Sequence, residues 1–239
     1  MILANHGVIS SSGGLPPSTL LNNLYAVYKA ESNANDSLST YNGTAYGGLT
    51  YASGKSGNAF SFNGTTSYVE LGDVMDVGLS SWTYSCWFKA SDVTNYPTLF
   101  NKTIAASSQG RITTYFIANK LAFLFQADSS LNAQVFSATT INLNTWYNAV
   151  FIIDRADKLK LYINGVLEAG TSENNNISSY SNNNYNTSLP FMIGAANVGG
   201  ANPPGNFFNG LIDEFAVWNR VLTQAEITEL QTKYYPFLL

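Results

Sequence analysis

The sequence predicts an all-β fold: one antiparallel β-sandwich, preceded by an extended arm and closed by a short helix. Three observations carry this. Short runs alternate apolar and polar residues with the period of two that a half-buried strand requires. Gly, Asn, Asp and Pro punctuate those runs at the spacing of a sandwich or barrel. Apolar residues at helical spacing form one group, near the C-terminus.

The elements follow in order. Residues 1–20 are small and polar, with Ser10-Ser11-Ser12-Gly13-Gly14 and Pro16-Pro17, the composition of an arm or linker. The sandwich domain is expected over 21–239. Residues 24–30 alternate, and 59–63 and 67–71 are strands whose connection, Gly64-Thr65-Thr66, reads as a tight hairpin. The clearest strand is 82–90, WTYSCWFKA. Trp82, Tyr84, Cys86 and Phe88 fall on one face; Thr83, Ser85, Trp87 and Lys89 fall on the other. Strands at 98–101, 111–118, 120–127 and 133–138 follow, with Asn119 turning the chain between two of them. Residues 146–154 pair with 159–163 across Arg155-Ala156-Asp157. Asn164-Gly165 tolerates positive φ at both positions, so 159–163 and 166–169 form a type I′ hairpin. Residues 189–194 and 211–218 complete a set of about a dozen strands. Thr223-Gln224-Ala225-Glu226 fits a capping box, and Ile227, Leu230 and Tyr234 share one helical face.

Composition narrows the function classes. Charged residues make up 11% of the chain, against about 25% in a typical domain. Asn, Ser, Thr and Tyr take their place, which suits an extracellular or assembled setting. The net charge is −4 and the 11 basic residues are scattered, so nucleic-acid binding is not expected. The single cysteine, Cys86, allows no intrachain disulfide and reads as a small buried hydrophobe. No apolar run is long enough to span a bilayer. The opening MILANHGVISSSGG lacks the basic and apolar regions of a secretory signal. Synthesis in a cytoplasm, with release by lysis as for a virus particle, is the expectation.

Four segments carry a family resemblance. Asn35-Asp36-Ser37 with Gly43-Thr44 and 54–64 (GKSGNAFSFNG), then 82–90, then Trp146-Tyr147 with 159–165 (LKLYING), then 210–227 (GLIDEFAVWNRVLTQAEI) occur in this order over about residues 24–235. In order and spacing the chain resembles the laminin-G-like, concanavalin A-like jelly-roll superfamily, in the variant common in bacterial and phage surface proteins. That resemblance implies an antiparallel jelly-roll sandwich. It supplies no function by itself, because the fold hosts lectins, glucanases, adhesion modules and structural spacers.

Catalysis is not expected. Glycosidases need two carboxylates facing one sugar, and the Glu-x-Asp-x-x-Glu run of the fold's glucanases is missing. Glu70, Asp73 and Asp76 come nearest, beside a strand end; Asp213 and Glu214 are adjacent and so point to opposite faces. His6, the one histidine, lies in the arm, and one Cys with one His cannot build a structural zinc site. The resemblance implies a structural Ca²⁺ held between Asp36 and Asp213. The alternative reading gives Asp36 an Asx-turn and Asp213 loop amides. For glycan contact the candidates are Tyr180 and Tyr185, among seven asparagines in the long loop 172–188, and then the loop 195–206. A solvated loop or a contact between subunits is the other reading. Trp82, Trp87, Trp146 and Trp218 read as core.

The function expected is therefore non-catalytic: a phage virion component such as a capsid decoration, fibre or tail-associated module, whose lectin-like domain contacts glycans. A bacterial surface carbohydrate-binding or adhesion module is the alternative, with the chain outside the cell rather than on a particle. Partners are other virion proteins or copies of the chain itself, docked through the arm residues Ile2, Leu3, His6, Val8 and Ile9 by strand addition.

Overall fold

The computed structural model describes residues 18–103, 111–126, 132–169, 176–178, 185–197 and 204–236. The arm residues Ile2 to Ile9 and Tyr180 lie outside them. Two antiparallel sheets face each other. The first runs in the order β13 (Val166–Leu167), β12 (Leu159–Ile163), β11 (Trp146–Ile153), β6 (Trp82–Asp92), β15 (Asn209–Trp218), β4 (Asn58–Asn63) and β3 (Thr50–Ser53). Strand β1 (Leu24–Tyr28) also pairs with β15. The second runs β10 (Asn132–Phe136), β9 (Lys120–Gln126), β8 (Arg111–Ile117), β7 (Phe100–Lys102), β14 (Met192–Ile193), β5 (Tyr68–Glu70) and β2 (Thr44–Tyr46).

The period-two pattern places one face of each strand in the gap. Tyr84, Cys86 and Phe88 of β6, Phe151 of β11 and Phe215 of β15 meet Phe100, Phe116 and Phe123 from the opposite sheet. Phe100 is central: its ring lies 5.0 Å from that of Phe151 and 5.7 Å from those of Phe191 and Phe215. Burying a phenylalanine this fully contributes about 2–3 kcal/mol. Burial also pushes the Cys86 thiol pKa well above its ordinary value, so the sulfur acts as core.

The Asn164-Gly165 hairpin forms as the sequence predicts, with φ of 50° and 77° and Ile163 opposite Val166. The Gly64-Thr65-Thr66 connection does not join a hairpin. Strand β4 belongs to the first sheet and β5 to the second, so the chain turns a corner between layers. The Asn63 side chain holds that corner by accepting from the amides of Thr65, Thr66 and Ser67.

A second apolar cluster covers part of the first sheet's outer face. Val27, Val150, Ile152, Ala216 and Trp218 pack there against Leu20, Leu222, Ile227 and Leu230. The last two lie on or just after helix α1 (Gln224–Glu229), whose capping box forms between Thr223 and Glu226. The helix ends before Tyr234, so that residue lies on the tail that follows. Glu226 also receives both Arg220 terminal nitrogens, at 2.7 and 2.9 Å, and the Thr19 hydroxyl at 2.6 Å. Trp218 donates its indole N–H to the Leu20 carbonyl at 2.7 Å. The described chain thus begins and ends on this one face.

Candidate functional site

The second sheet has an unusual outer face. Register aligns Glu70, Met192, Asn101, Thr113, Leu124 and Gln134 in one row across β5, β14, β7, β8, β9 and β10. These residues point away from the core, which takes Ile193, Phe100, Ile112 and Phe123 from the same strands. An outward polar row is expected to be wet. Here Asn101 is 1% and Thr113 2% exposed.

Such burial requires hydrogen bonds, and several are missing. Asn101 Oδ1 accepts from the Asn197 amide at 3.1 Å, but Asn101 Nδ2 has no acceptor. Asn197 Oδ1 is buried with no donor, and Arg111 Nε is buried with no acceptor. Each unmet group costs roughly 1–3 kcal/mol. Gln134 Nε2 donates to the Tyr115 hydroxyl, and burial lowers the pKa of the Arg111 guanidinium below its ordinary value.

Aromatic rings border this row. Tyr115 lies 6.1 Å from Tyr96 and 6.5 Å from Phe136, centroid to centroid. Tyr96 is 52% exposed. It and Asn95 both adopt positive φ, 57° and 58°, a conformation that disfavours a bulky side chain. Backbone strain of this kind often marks a functional site. Asn95 lines a neighbouring cleft of about 330 Å³, with Thr65, Asp92, Asn206, Phe207 and Asn209. That size suits a small ligand. Asp92 accepts from Thr94 N at 2.8 Å and Thr94 Oγ1 at 2.9 Å, bonds that hold its carboxyl below the ordinary carboxylate range.

The acidic residues are occupied elsewhere. Asp73 and Asp76 pair with the buried Lys102 ammonium at 2.9 and 3.0 Å. Asp213 and Glu214 do not point to opposite faces. A β-bulge between Asp213 and Ala216, with Glu214 at φ 48°, breaks the alternation and turns both to the first sheet's outer side. There Asp213 is opposite Trp87, and Glu214 lines a crevice of about 10 Å³ with Ser85, Asn148 and Tyr234. That volume holds at most one water. Burial raises Asp213 to about 6 against the pull of its amide donors. Burial and the Asp213 charge raise Glu214 to about 7. Trp87 and Trp146 also lie on this outer side, beneath the Lys55 and Lys89 ammonium groups at 4.2 and 5.3 Å, whereas Trp82 and Trp218 are buried in apolar clusters.

Backbone amides already bond to both proposed calcium ligands. Asp36 Oδ1 accepts from the amides of Val27 and Leu38 at 2.9 and 3.1 Å; Oδ2 accepts from those of Thr40 and Tyr41 at 3.1 and 3.2 Å. These four donors fill the four lone-pair sites of a carboxylate. Asp213 accepts from Lys55, Ser56 and Glu214 amides at 2.7, 3.0 and 2.7 Å. Among the described residues no three His, Cys, Asp or Glu side chains gather as a metal site.

Tyr185 is not a surface platform. It is 4% exposed, with its ring 4.2 Å from that of Phe125 and 4.6 Å from the Arg155 guanidinium. A tyrosine among asparagines looks solvated in sequence, but these two contacts draw it into the core. The loop 195–206 contributes Asn197 beside Asn101, and Asn206 to the cleft that Asn95 lines. Sequence reasoning missed Asn101, Arg111, Thr113 and Gln134, which become neighbours only once the strand register is known.

No curated protein matches the chain. Solved structures do. Domain 4 of AbnA, a GH43 extracellular arabinanase from Geobacillus stearothermophilus, in complex with arabinotriose, superposes with a TM-score of 0.68 at 24% identity, covering 88% of this chain and 98% of that one. The binding domain of Paraclostridial Mosquitocidal Protein 1 gives 0.68 at 17%, covering 87% of this chain and 52% of that one. The binding domain of botulinum neurotoxin DC in complex with SialylT gives 0.66 at 15%, covering 88% and 51%. The chain thus spans about half the length of the two toxin domains, and at these identities the likeness is one of fold. Among the described residues no helix is long and apolar enough to cross a membrane. A family model matches residues 63–228, and with the two-sheet topology this places the chain in the concanavalin A-like lectin/glucanases superfamily.

Proposed function

We propose that the chain is a non-catalytic carbohydrate-binding module that holds sugar against the outer face of its second sheet, between Tyr96 and Asn197. One observation carries the reading: buried, unpartnered donor and acceptor atoms on Asn101, Arg111 and Asn197 share a face with exposed aromatic surface. Sugars present hydroxyls that satisfy both kinds of atom and C–H faces that lie on rings. The arabinotriose complex and the SialylT complex support it, since both belong to proteins of this fold. The distribution of acids supports the non-catalytic part. Three clefts lined by described residues carry one carboxylate each, Asp92, Asp76 or Glu214, where glycosidic hydrolysis takes two.

Display on a phage particle, through the arm 1–20, is the reading that the low charge and the arm's composition favour. A bacterial surface module is the alternative, and deletion of the arm separates the two, since only the virion reading requires it for incorporation. A glycan array with the whole chain tests the binding function. Tyr96→Ala and Asn197→Ala each weaken any positive signal by about tenfold, the effect of roughly 1.4 kcal/mol. An array without a hit at high protein concentration refutes the proposal.

A further inference from the structure

We infer that the saccharide held by this face carries a carboxylate, and that Arg111 receives it. This rests on the carbohydrate-binding reading above and adds the class of sugar.

Arg111 opens β8 and points outward with Thr113 and Tyr115. Its Nε is shut off from solvent without an acceptor. Four of the ten other basic residues, Lys102, Lys160, Arg220 and Lys233, each sit within 3.1 Å of a carboxylate. Arg111 pairs with none among the described residues. The residue is half-buried, and its unmet Nε costs roughly 1–3 kcal/mol, so the position favours an anion that arrives from outside at the guanidinium.

The neighbours match that anion and the ring bearing it. Asn101 Nδ2 is a second donor lacking an acceptor, in the row beside Thr113. The Tyr115 hydroxyl accepts from Gln134 and so keeps its own proton to donate. Asn197 Oδ1 is the one orphaned acceptor of the group, suited to a sugar hydroxyl. The acid in this row, Glu70, stands three strands from β8, about 14 Å at the usual strand spacing. It is too far to neutralise Arg111. Arginine's planar fork binds carboxylate through two parallel hydrogen bonds.

Hexuronates and sialic acids share this chemistry. Titration calorimetry on the whole chain uses trigalacturonate and its methyl ester, then sialyllactose and lactose. An acidic sugar bound at least tenfold more tightly than its uncharged counterpart, with a gap that narrows as salt rises, is the expected result. The pair that shows the gap identifies the source. Arg111→Gln weakens the acidic sugar more than its neutral counterpart and so closes the gap, and Arg111→Lys restores part of it. The ester and lactose comparisons use the unaltered chain, so they hold even if the variants fold poorly. Equal affinity for acid and ester, or a gap that survives Arg111→Gln, overturns the acidic class and leaves the carbohydrate reading standing. Binding of no sugar at all overturns both.

Discussion

Replacing Glu214 with Gln stabilises the protein above neutral pH and leaves it unchanged in acid. Glu214 Oε1 is buried with no donor, and Oε2 receives one long bond, 3.3 Å from the Tyr235 amide. Burial, with the neighbouring Asp213 charge, raises this carboxyl from its ordinary 4.5 to about 7. The folded chain therefore holds a proton that the unfolded chain releases between about pH 4.5 and 7. Stability is full below that window and falls as pH rises through it. At about 1.4 kcal/mol per pKa unit, complete ionisation costs on the order of 3 kcal/mol. Gln keeps the shape of the protonated acid at every pH. For a domain of this size that stabilisation corresponds to a melting temperature roughly 6–12 °C higher at pH 8. Thermal unfolding followed by circular dichroism between pH 4.5 and 8.5 measures it, and the difference between the two proteins reports this carboxyl together with its effect on Asp213. A constant difference across that range refutes the reasoning, as does a variant that loses stability at pH 8.

Glu226 slopes the other way. Burial alone would raise it, but Arg220, Thr19 and Thr223 together hold it at about 2, so its contribution is present above pH 4.5 and lost as pH falls toward 2. Glu226→Gln costs about 2–3 kcal/mol at pH 7 and almost nothing near pH 2, readable in urea midpoints. Chelation by EDTA leaves the melting temperature unchanged, because amides already occupy the Asp36 carboxylate. A fall of several degrees that calcium alone reverses would show a cation the amides do not replace.

Local chemistry was legible in the sequence where one segment sufficed to define it. The alternation of 82–90, the Asn164-Gly165 turn and the Thr223 capping box are all local, and all form. Strands β2 and β3 were not legible, being three and four residues long between glycines. The bulge at Glu214 was hidden for a different reason: alternation is assumed until a residue adopts positive φ, and Glu gives no sign that it will. The candidate site was the least legible part. Arg111, Thr113 and Tyr115 alternate as solvent-facing residues do, and nothing in one strand reveals that its outward face is buried. That knowledge needs the register of five other strands.

Ser18 bonds to Glu229 at 2.8 Å, and both ends of the described chain rest on the back of the first sheet. The row proposed to face sugar lies on the back of the second, with the whole thickness of the sandwich between. Ser18 and Pro236, where the described residues start and stop, therefore lie at the pole opposite that row. On the proposed reading, a chain shortened to 18–236 and tethered at either end presents that surface away from its carrier.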